Sequence, residues 1–339
     1  MSVIRIEDIA HVRFSAPDFA QMRAFLEDFG LHVFEAQGCL YGKAGDGRPF
    51  VHVTEPGEAR FLAVGLRAES EGDLKLLAAH EGVKVEDLDE PGGGQIVRLT
   101  DPDGYLVEVV AGQSKSPPEG LPAPAAWNTA DAKRRLRRPV RLDSRPAQVR
   151  RIGHAVLKVT DFRRSEQWYK VRFGFLTSDE VEAAAGVPVG AFMRCDRGDE
   201  PADHHTLFLA QLPGPLGLLH AAFEVMDLDD LMLGHQYLKS KKRQSVWGVG
   251  RHIMGSQVFD YWKDPFGNEL EHWTDGDLFT ASDPPQKQSM SALLAVQWGS
   301  PHPMLSGKRP PPPGLVSFIM AVLLRIQRLF RRQPQRASA

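Results

Sequence analysis

The sequence predicts an α+β fold of two sheet-based modules, each assembled from two β-α-β-β-β units, and three observations lead there. The chain has 339 residues, about twice the roughly 150 of a single domain. Two stretches, about 4–112 and 150–280, are set apart by Pro- and Gly-rich or basic segments. These stretches also resemble each other: HVRFSAPDF (11–19) matches HAVLKVTDF (154–162), and DPDGYLVE (101–108) matches DPFGNELE (264–271). Between them LAVGLRAESEGDL (62–74) lies against LHAAFEVMDLDDL (219–231) without a gap.

Each element of the second stretch has its own signal. Residues 152–159 read as a short buried strand, and Asp161 as a helix cap. Phe162, Tyr169 and Phe173 recur at i, i+7 and i+11, one face of the helix that follows. Strands are predicted at about 189–195, 204–211 and 218–225, then a helix over 228–241. Two last strands, 256–262 and 268–273, are joined by the Pro265/Gly267 turn. The expected organisation is a first module at 1–113, a Pro-rich and basic linker at 114–149, a second module at 150–281 and a tail at 282–339.

Composition excludes several classes. With 42% hydrophobic and 25% charged residues the chain can bury a sizeable core. Its net charge of −2 gives no general reason to bind nucleic acid. Charge is uneven locally: nine basic residues lie between Lys133 and Arg151 against the single acid Asp143, and no acid follows Asp283. Two isolated cysteines, Cys39 and Cys195, suit a reducing cytoplasm and form no zinc knuckle. The N-terminus carries Arg5, Glu7 and Asp8, unlike a secretory signal. The apolar run Leu315 to Leu324 is ten residues, half of the roughly 20 that cross a bilayer.

The chemistry is expected from His154, His220 and Glu271, one from each of three strands of the second module. Two neutral imidazoles and a carboxylate on one octahedral face suit non-haem Fe(II) and leave open positions for substrate and oxygen. A lone histidine is more often structural, but the internal comparison sharpens the set. The matched positions of the first module hold His11, Ala63 and Glu108. One metal per chain, in the second module, is the expectation.

With these residues in view the sequence resembles the type I extradiol ring-cleaving dioxygenases of the vicinal oxygen chelate superfamily, over about residues 4–280. The run GRHIMGSQVFDYWKDPFGNELEHW (250–273) is similar to that family's C-terminal signature, with His252, Tyr261 and Glu271 at intervals of nine and ten. The resemblance implies vicinal-oxygen-chelate modules, a non-catalytic first and a metal-binding second. It implies Fe(II), or Mn(II), held by His154, His220 and Glu271, and a catechol cleaved beside its diol with O2. It makes His205 the acid–base residue, fifteen positions before His220. Its neighbour His204 faces the other way if the strand is regular. Tyr261 and His252 match hydrogen-bonding groups for substrate and intermediate. Val156, two residues beyond His154 on the same face, is a pocket wall, and Phe208, Trp247 and Arg251 are further candidates. HWTDGDLF (272–279) is similar to the branch acting on single-ring substituted catechols and trihydroxybenzenes, including 2,4,5-trihydroxytoluene.

The tail departs from this pattern. AVQWGSP (295–301) is expected over the pocket mouth with Trp298 near substrate, followed by a PPPP run (310–313) and a basic amphipathic helix at 315–332. Docking of that helix on the body or on a second subunit, or disorder, ranks above binding to an anionic membrane surface. A homo-oligomer is expected by resemblance. Two other readings stay open on the same scaffold: a glyoxalase-like metal isomerase, and a non-enzymatic ligand-binding protein like those conferring bleomycin resistance.

Overall fold

The computed structural model describes residues 2–120 and 126–303; the polyproline run and the helix expected at 315–332 lie outside the described residues. The first stretch contains strands β1 (Ile6–Ala16), β2 (His32–Ala36), β3 (Cys39–Lys43), β4 (His52–Pro56) and β5 (Arg60–Ala68). Strands β6 (Glu86–Asp87), β7 (Gln95–Thr100) and β8 (Leu106–Ala111) complete it, with helices α1 (Phe19–Phe29) after β1 and α2 (Glu71–Glu81) after β5. They form one eight-stranded sheet in the order β2-β3-β4-β1-β5-β8-β7-β6.

The second stretch repeats the plan. It begins with β9 (Val149–Lys158), α3 (Phe162–Phe173), β10 (Leu176–Ala184), β11 (Val187–Arg194), β12 (Ala202–Asp203) and β13 (Leu207–Ala210). Then come β14 (Gly217–Val225), α4 (Leu228–Ser240), β15 (Gln244–His252), β16 (Val258–Lys263) and β17 (Glu269–Thr274). Strands β18 (Leu278–Phe279), β19 (Gln286–Ser289) and β20 (Val296–Gly299) follow, with the short helix α5 (Met290–Leu294) before the last. The large sheet runs β19-β10-β11-β13-β9-β14-β17-β16-β15-β20. The β-α-β-β-β unit thus occurs four times, closed each time by a parallel pair: β1 with β4, β5 with β8, β9 with β13 and β14 with β17.

The local signals act as the sequence suggests. Asp161 caps α3 by accepting from the Arg164 amide, and Phe162, Tyr169 and Phe173 are buried. Gly174 ends the helix in the left-handed region at φ 71°, where a Cβ would be strained. The sheets share apolar contacts: Phe29 stacks on His272 at 3.8 Å between ring centres, and His272 Nε2 lies 2.7 Å from the Phe29 carbonyl.

Three differences from the sequence reading matter for the site. The strand expected at 204–211 begins only at Leu207, so His204 and His205 precede it in irregular backbone. Strands β10 and β15 were not anticipated; β15 is Gly-rich and half exposed, without a clean alternation. Residues of the expected tail pair with both edges of the large sheet, β19 on β10 and β20 on β15.

Candidate metal centre and active site

Strand register brings the three candidate ligands together. Ala222 of β14 is level with His154 on β9 and with Glu271 on β17, and Tyr261 of β16 is level with Glu271. His220 lies two residues from Ala222 on the same strand face. A methyl group between the two ligand strands leaves room where the side chains meet. Gly153 serves the same end, since a Cβ there would come within 2.5 Å of the Trp273 ring packed beneath His154.

His154 Nε2 is 3.3 Å from Glu271 Oε2, His220 Nε2 is 3.2 Å from the same oxygen, and the two imidazole nitrogens are 3.4 Å apart. A first-row divalent ion bonded at about 2.1 Å places neighbouring ligands roughly 3 Å apart, so the triangle fits one. The donors are also left in need of a partner. Both Glu271 carboxylate oxygens are buried without a hydrogen-bond partner, as is His154 Nδ1. Burial pushes the His154 imidazole down, favouring its neutral, ligating form. Burial pushes the Glu271 carboxyl up, but His154, His220 and His252 outweigh it and hold the group well below the usual carboxylate range. His154, His220 and Glu271 form the one such ligand group among the described residues.

His205 lies beside this centre, its ring 3.9 Å from that of His154 and edge-on to Phe192. Burial, then the neighbouring His154 and His204, push its pKa well below the ordinary value, which favours the neutral ring. His204 does not face the other way. Because these residues precede the regular strand, His204 Nδ1 sits 3.1 Å from His205 Nδ1, and its Nε2 is 2.7 Å from Asp179 Oδ2. Gly255, with φ 73°, allows the close approach: a Cβ there would lie 2.9 Å from the His204 ring. Gln288 of the tail strand donates to the other Asp179 oxygen at 3.3 Å.

Tyr261 and His252 stand on the opposite side of the triad. The Tyr261 hydroxyl and His252 Nε2 lie 3.1 Å apart, within hydrogen-bond distance, and His252 Nε2 is 3.7 Å from Glu271 Oε1. Burial, then the Glu271 charge, raise the Tyr261 pKa well above its ordinary value, so the phenol keeps its proton as a donor.

A cavity of about 400 Å³ opens onto the triad, lined by His205, His252 and Tyr261 and walled by Val156, Phe208 and Trp247. Two expected wall residues are elsewhere. Arg251 alternates to the other face of β15, where its guanidinium donates to the Ser256 carbonyl at 2.6 Å and to Asp275 at 2.7 Å. Trp298 sits on the outer edge strand β20, 43% exposed and 5.9 Å from the Arg251 guanidinium. The tail does reach the cavity, through Ala292, Leu293, Leu294 and His302. Sequence reasoning also missed Phe192, stacked on Phe208 at 4.0 Å, and Lys158, whose alternation with His154 and Val156 along β9 was a usable signal.

Residues 151–272 match the model of the glyoxalase/bleomycin resistance protein/dioxygenase superfamily. Over 311 residues the chain is 31% identical to metapyrocatechase 2 of Cupriavidus necator, covering 88% of this chain and 90% of that protein. It belongs to the extradiol dioxygenase family. An iron-dependent extradiol dioxygenase of Rhodococcus jostii (strain RHA1) is 26% identical over 298 residues, 80% of this chain and 90% of the relative. Among solved structures, a Mn(II)-bound glyoxalase from Novosphingobium aromaticivorans superposes with a TM-score of 0.71 at 27% identity, covering 92% of this chain and 97% of that one. The chain is thus an enzyme of the extradiol dioxygenase class on the superfamily's shared two-module scaffold. No helix among the described residues is long and apolar enough to cross a membrane.

Proposed function

We propose that this extradiol dioxygenase uses Fe(II), with Mn(II) as the alternative metal, to open a single-ring substituted catechol or trihydroxybenzene, such as 2,4,5-trihydroxytoluene, with O2. The observation that carries the reading is the buried neutral His205 beside a two-histidine, one-carboxylate triad, both on one cavity. A simple binding protein needs neither. The iron-dependent relative supports the choice of metal, and the fit of the donor triangle supports metal binding as such.

His154, His220 and Glu271 are the residues that would hold the ion. When bound it supplies Lewis acidity to the diol and an electron path between diol and O2. The protein moves the protons. His205 Nε2, left free by the bond at Nδ1, takes a diol proton and returns one later. Tyr261 donates to a diol or developing oxyanion oxygen, and His252 orients the phenol. Phe208, Phe192 and Trp247 hold the ring and exclude water.

The test is oxygen uptake by anaerobically purified, Fe(II)-loaded protein given catechol, methylcatechols, trihydroxytoluenes and 2,3-dihydroxybiphenyl in turn. One O2 consumed per diol, with a ring-fission chromophore, is the expected result. Two-ring diols cleaved far faster than single-ring ones would remove the substrate assignment. No uptake with reduced iron still bound would remove the dioxygenase reading in favour of a glyoxalase-like isomerase.

A further inference from the structure

Lys158 is a charged side chain in an otherwise apolar part of the cavity wall. It is 6% exposed, and its ammonium donates to the Pro213 carbonyl. No carboxylate lies within ion-pairing distance of it among the described residues: every ion pair formed by a lysine involves another one. Glu269, the acid that also lines the cavity, lies 4.0 Å from Lys263. Burying an ammonium without a counter-charge is unfavourable, and burial does push its pKa down.

The fold does not demand a lysine there. The matched position of the first module is Ser15, whose hydroxyl donates to the Glu58 carbonyl. Lys158 follows His154 and Val156 on one face of β9, so four residues at about 3.3 Å separate it from the metal ligand by roughly 13 Å of strand. Between the two ends the cavity is lined mostly by apolar groups, Val156, Phe208, Leu212, Leu219 and Leu293, together with Glu269, which lies 4.0 Å from Lys263. The metal end, a mostly apolar middle and a lone cation at the far end read as one elongated binding site. Its 400 Å³ also exceeds what a bare catechol ring fills.

We propose that the natural substrate is a catechol whose ring carries an apolar arm ending in a carboxylate, and that Lys158 binds that carboxylate and so determines specificity. The proposal rests on the dioxygenase reading for the diol end only. A charge-assisted pair in a dry wall is strong. Replacing its cation is expected to cost roughly tenfold to a hundredfold in affinity for the acid.

The experiment compares 3,4-dihydroxyphenyl-hexanoic acid with its methyl ester in the wild type, Lys158→Met and Lys158→Arg. Two quantities are read for each: kcat/KM for ring cleavage, and the dissociation constant in the oxygen-free, metal-loaded protein by calorimetry. The acid-to-ester ratio within each variant cancels any general loss of turnover. Wild type and Lys158→Arg should favour the acid at least tenfold, and Lys158→Met should favour neither. Lys158→Gln, which can still donate to Pro213, serves if the Met variant does not fold. Equal ratios in wild type and Lys158→Met, or a wild type that prefers the ester, overturn the proposal. Binding without cleavage of either ligand would sink the dioxygenase reading instead, and the binding ratio would still decide the role of Lys158.

Discussion

Replacing His204 by Phe tests the surroundings of His205 most directly. Asp179 Oδ2, His204 and His205 Nδ1 are linked at 2.7 and 3.1 Å, and all three side chains are buried. A carboxylate only accepts, so the His204 proton sits on Nε2, its Nδ1 accepts, and His205 donates from Nδ1. The His205 Nε2 lone pair is thereby left for the substrate. With Phe at 204 the buried His205 N–H has no acceptor, at a penalty of about 1–3 kcal/mol. The ring escapes by moving its proton to Nε2 or by turning away, and either removes the base. The same energy in the barrier is a fall of roughly fivefold to 150-fold in kcat. His204→Asn puts an amide oxygen near the Nδ1 position and should recover most of that loss. Asp179→Asn keeps an acceptor without its charge and should cost less than His204→Phe. The assay is single-turnover ring cleavage across pH, with bound metal quantified in each variant. Metal content should not change, because His204 supplies no donor to the triad. A His204→Phe enzyme with kcat within twofold of wild type and an unshifted pH profile would refute the reasoning.

Three further outcomes follow from the same geometry. His205→Phe should retain metal and lose about 10²–10⁴ in turnover, the usual span for a general base; loss of metal in that variant would make His205 a ligand instead. Mn(II) at about a hundredfold excess over its Kd should stabilise the protein by roughly 2.7 kcal/mol, read as a rise in Tm, and Glu271→Gln should abolish the rise; an equal rise in both would place the ion elsewhere. In the first module His52 has no partner on either ring nitrogen, and burial, with His11 nearby, lowers its pKa to about 3. The unfolded chain takes up that proton below about 6.5 and the folded one does not, so stability present at neutral pH is lost as pH falls from about 6.5 towards 3. At about 1.4 kcal/mol per unit the loss is at most roughly 5 kcal/mol. His52→Leu should flatten this acid slope in urea unfolding, and an unchanged slope would assign the acid sensitivity to other groups.

Much of this architecture could be read in the chain because it was written twice. The matched His-to-Asp-Phe and Asp-Pro-x-Gly-x-x-x-Glu segments located β1 against β9 and β8 against β17, and with them His154 and Glu271. Ungapped alignment of the middle strands did the same for His220. What escaped had no counterpart in the repeat or broke strand periodicity. His204 and His205 sit in irregular backbone, where alternation says nothing of direction. Asp179 lies on a strand whose only warning is a charged, half-buried pattern. Arg251 follows regular pairing from Gly248 onward and so faces away from its neighbour His252, and Trp298 was misplaced because β20 pairs along the outer edge of β15.

The duplication also explains why only one of the two modules has the open donor set. At the place of Ala222 the first module has Gly65, and His11 lies on it so closely that a Cβ would come within 2.3 Å of the ring. His11 Nε2 then meets Glu108 Oε2 directly at 2.7 Å, against 3.3 Å for His154 and Glu271. At the place of Val156 stands Arg13, 4% exposed, whose guanidinium donates to Glu108 at 3.0 Å and also pairs with Glu55 and Glu90. Burial pushes the Glu108 carboxyl up, yet His11 and Arg13 hold it down to about 2. Its charge is therefore balanced from within. The second module replaces that guanidinium with a valine, adds a histidine where the first has Ala63, and leaves its buried glutamate with two unpartnered oxygens. Such a carboxylate, grouped with two imidazoles within 3.3 Å of one of its oxygens, is placed to share a divalent cation with them. Restoring the first module's solution, with Val156→Arg in the second, should therefore fill the cavity, satisfy Glu271 and abolish metal uptake without unfolding the sheet. A Val156→Arg protein that still bound one metal per chain would show that the donor triangle alone, and not the space Val156 leaves beside it, decides which module holds the ion.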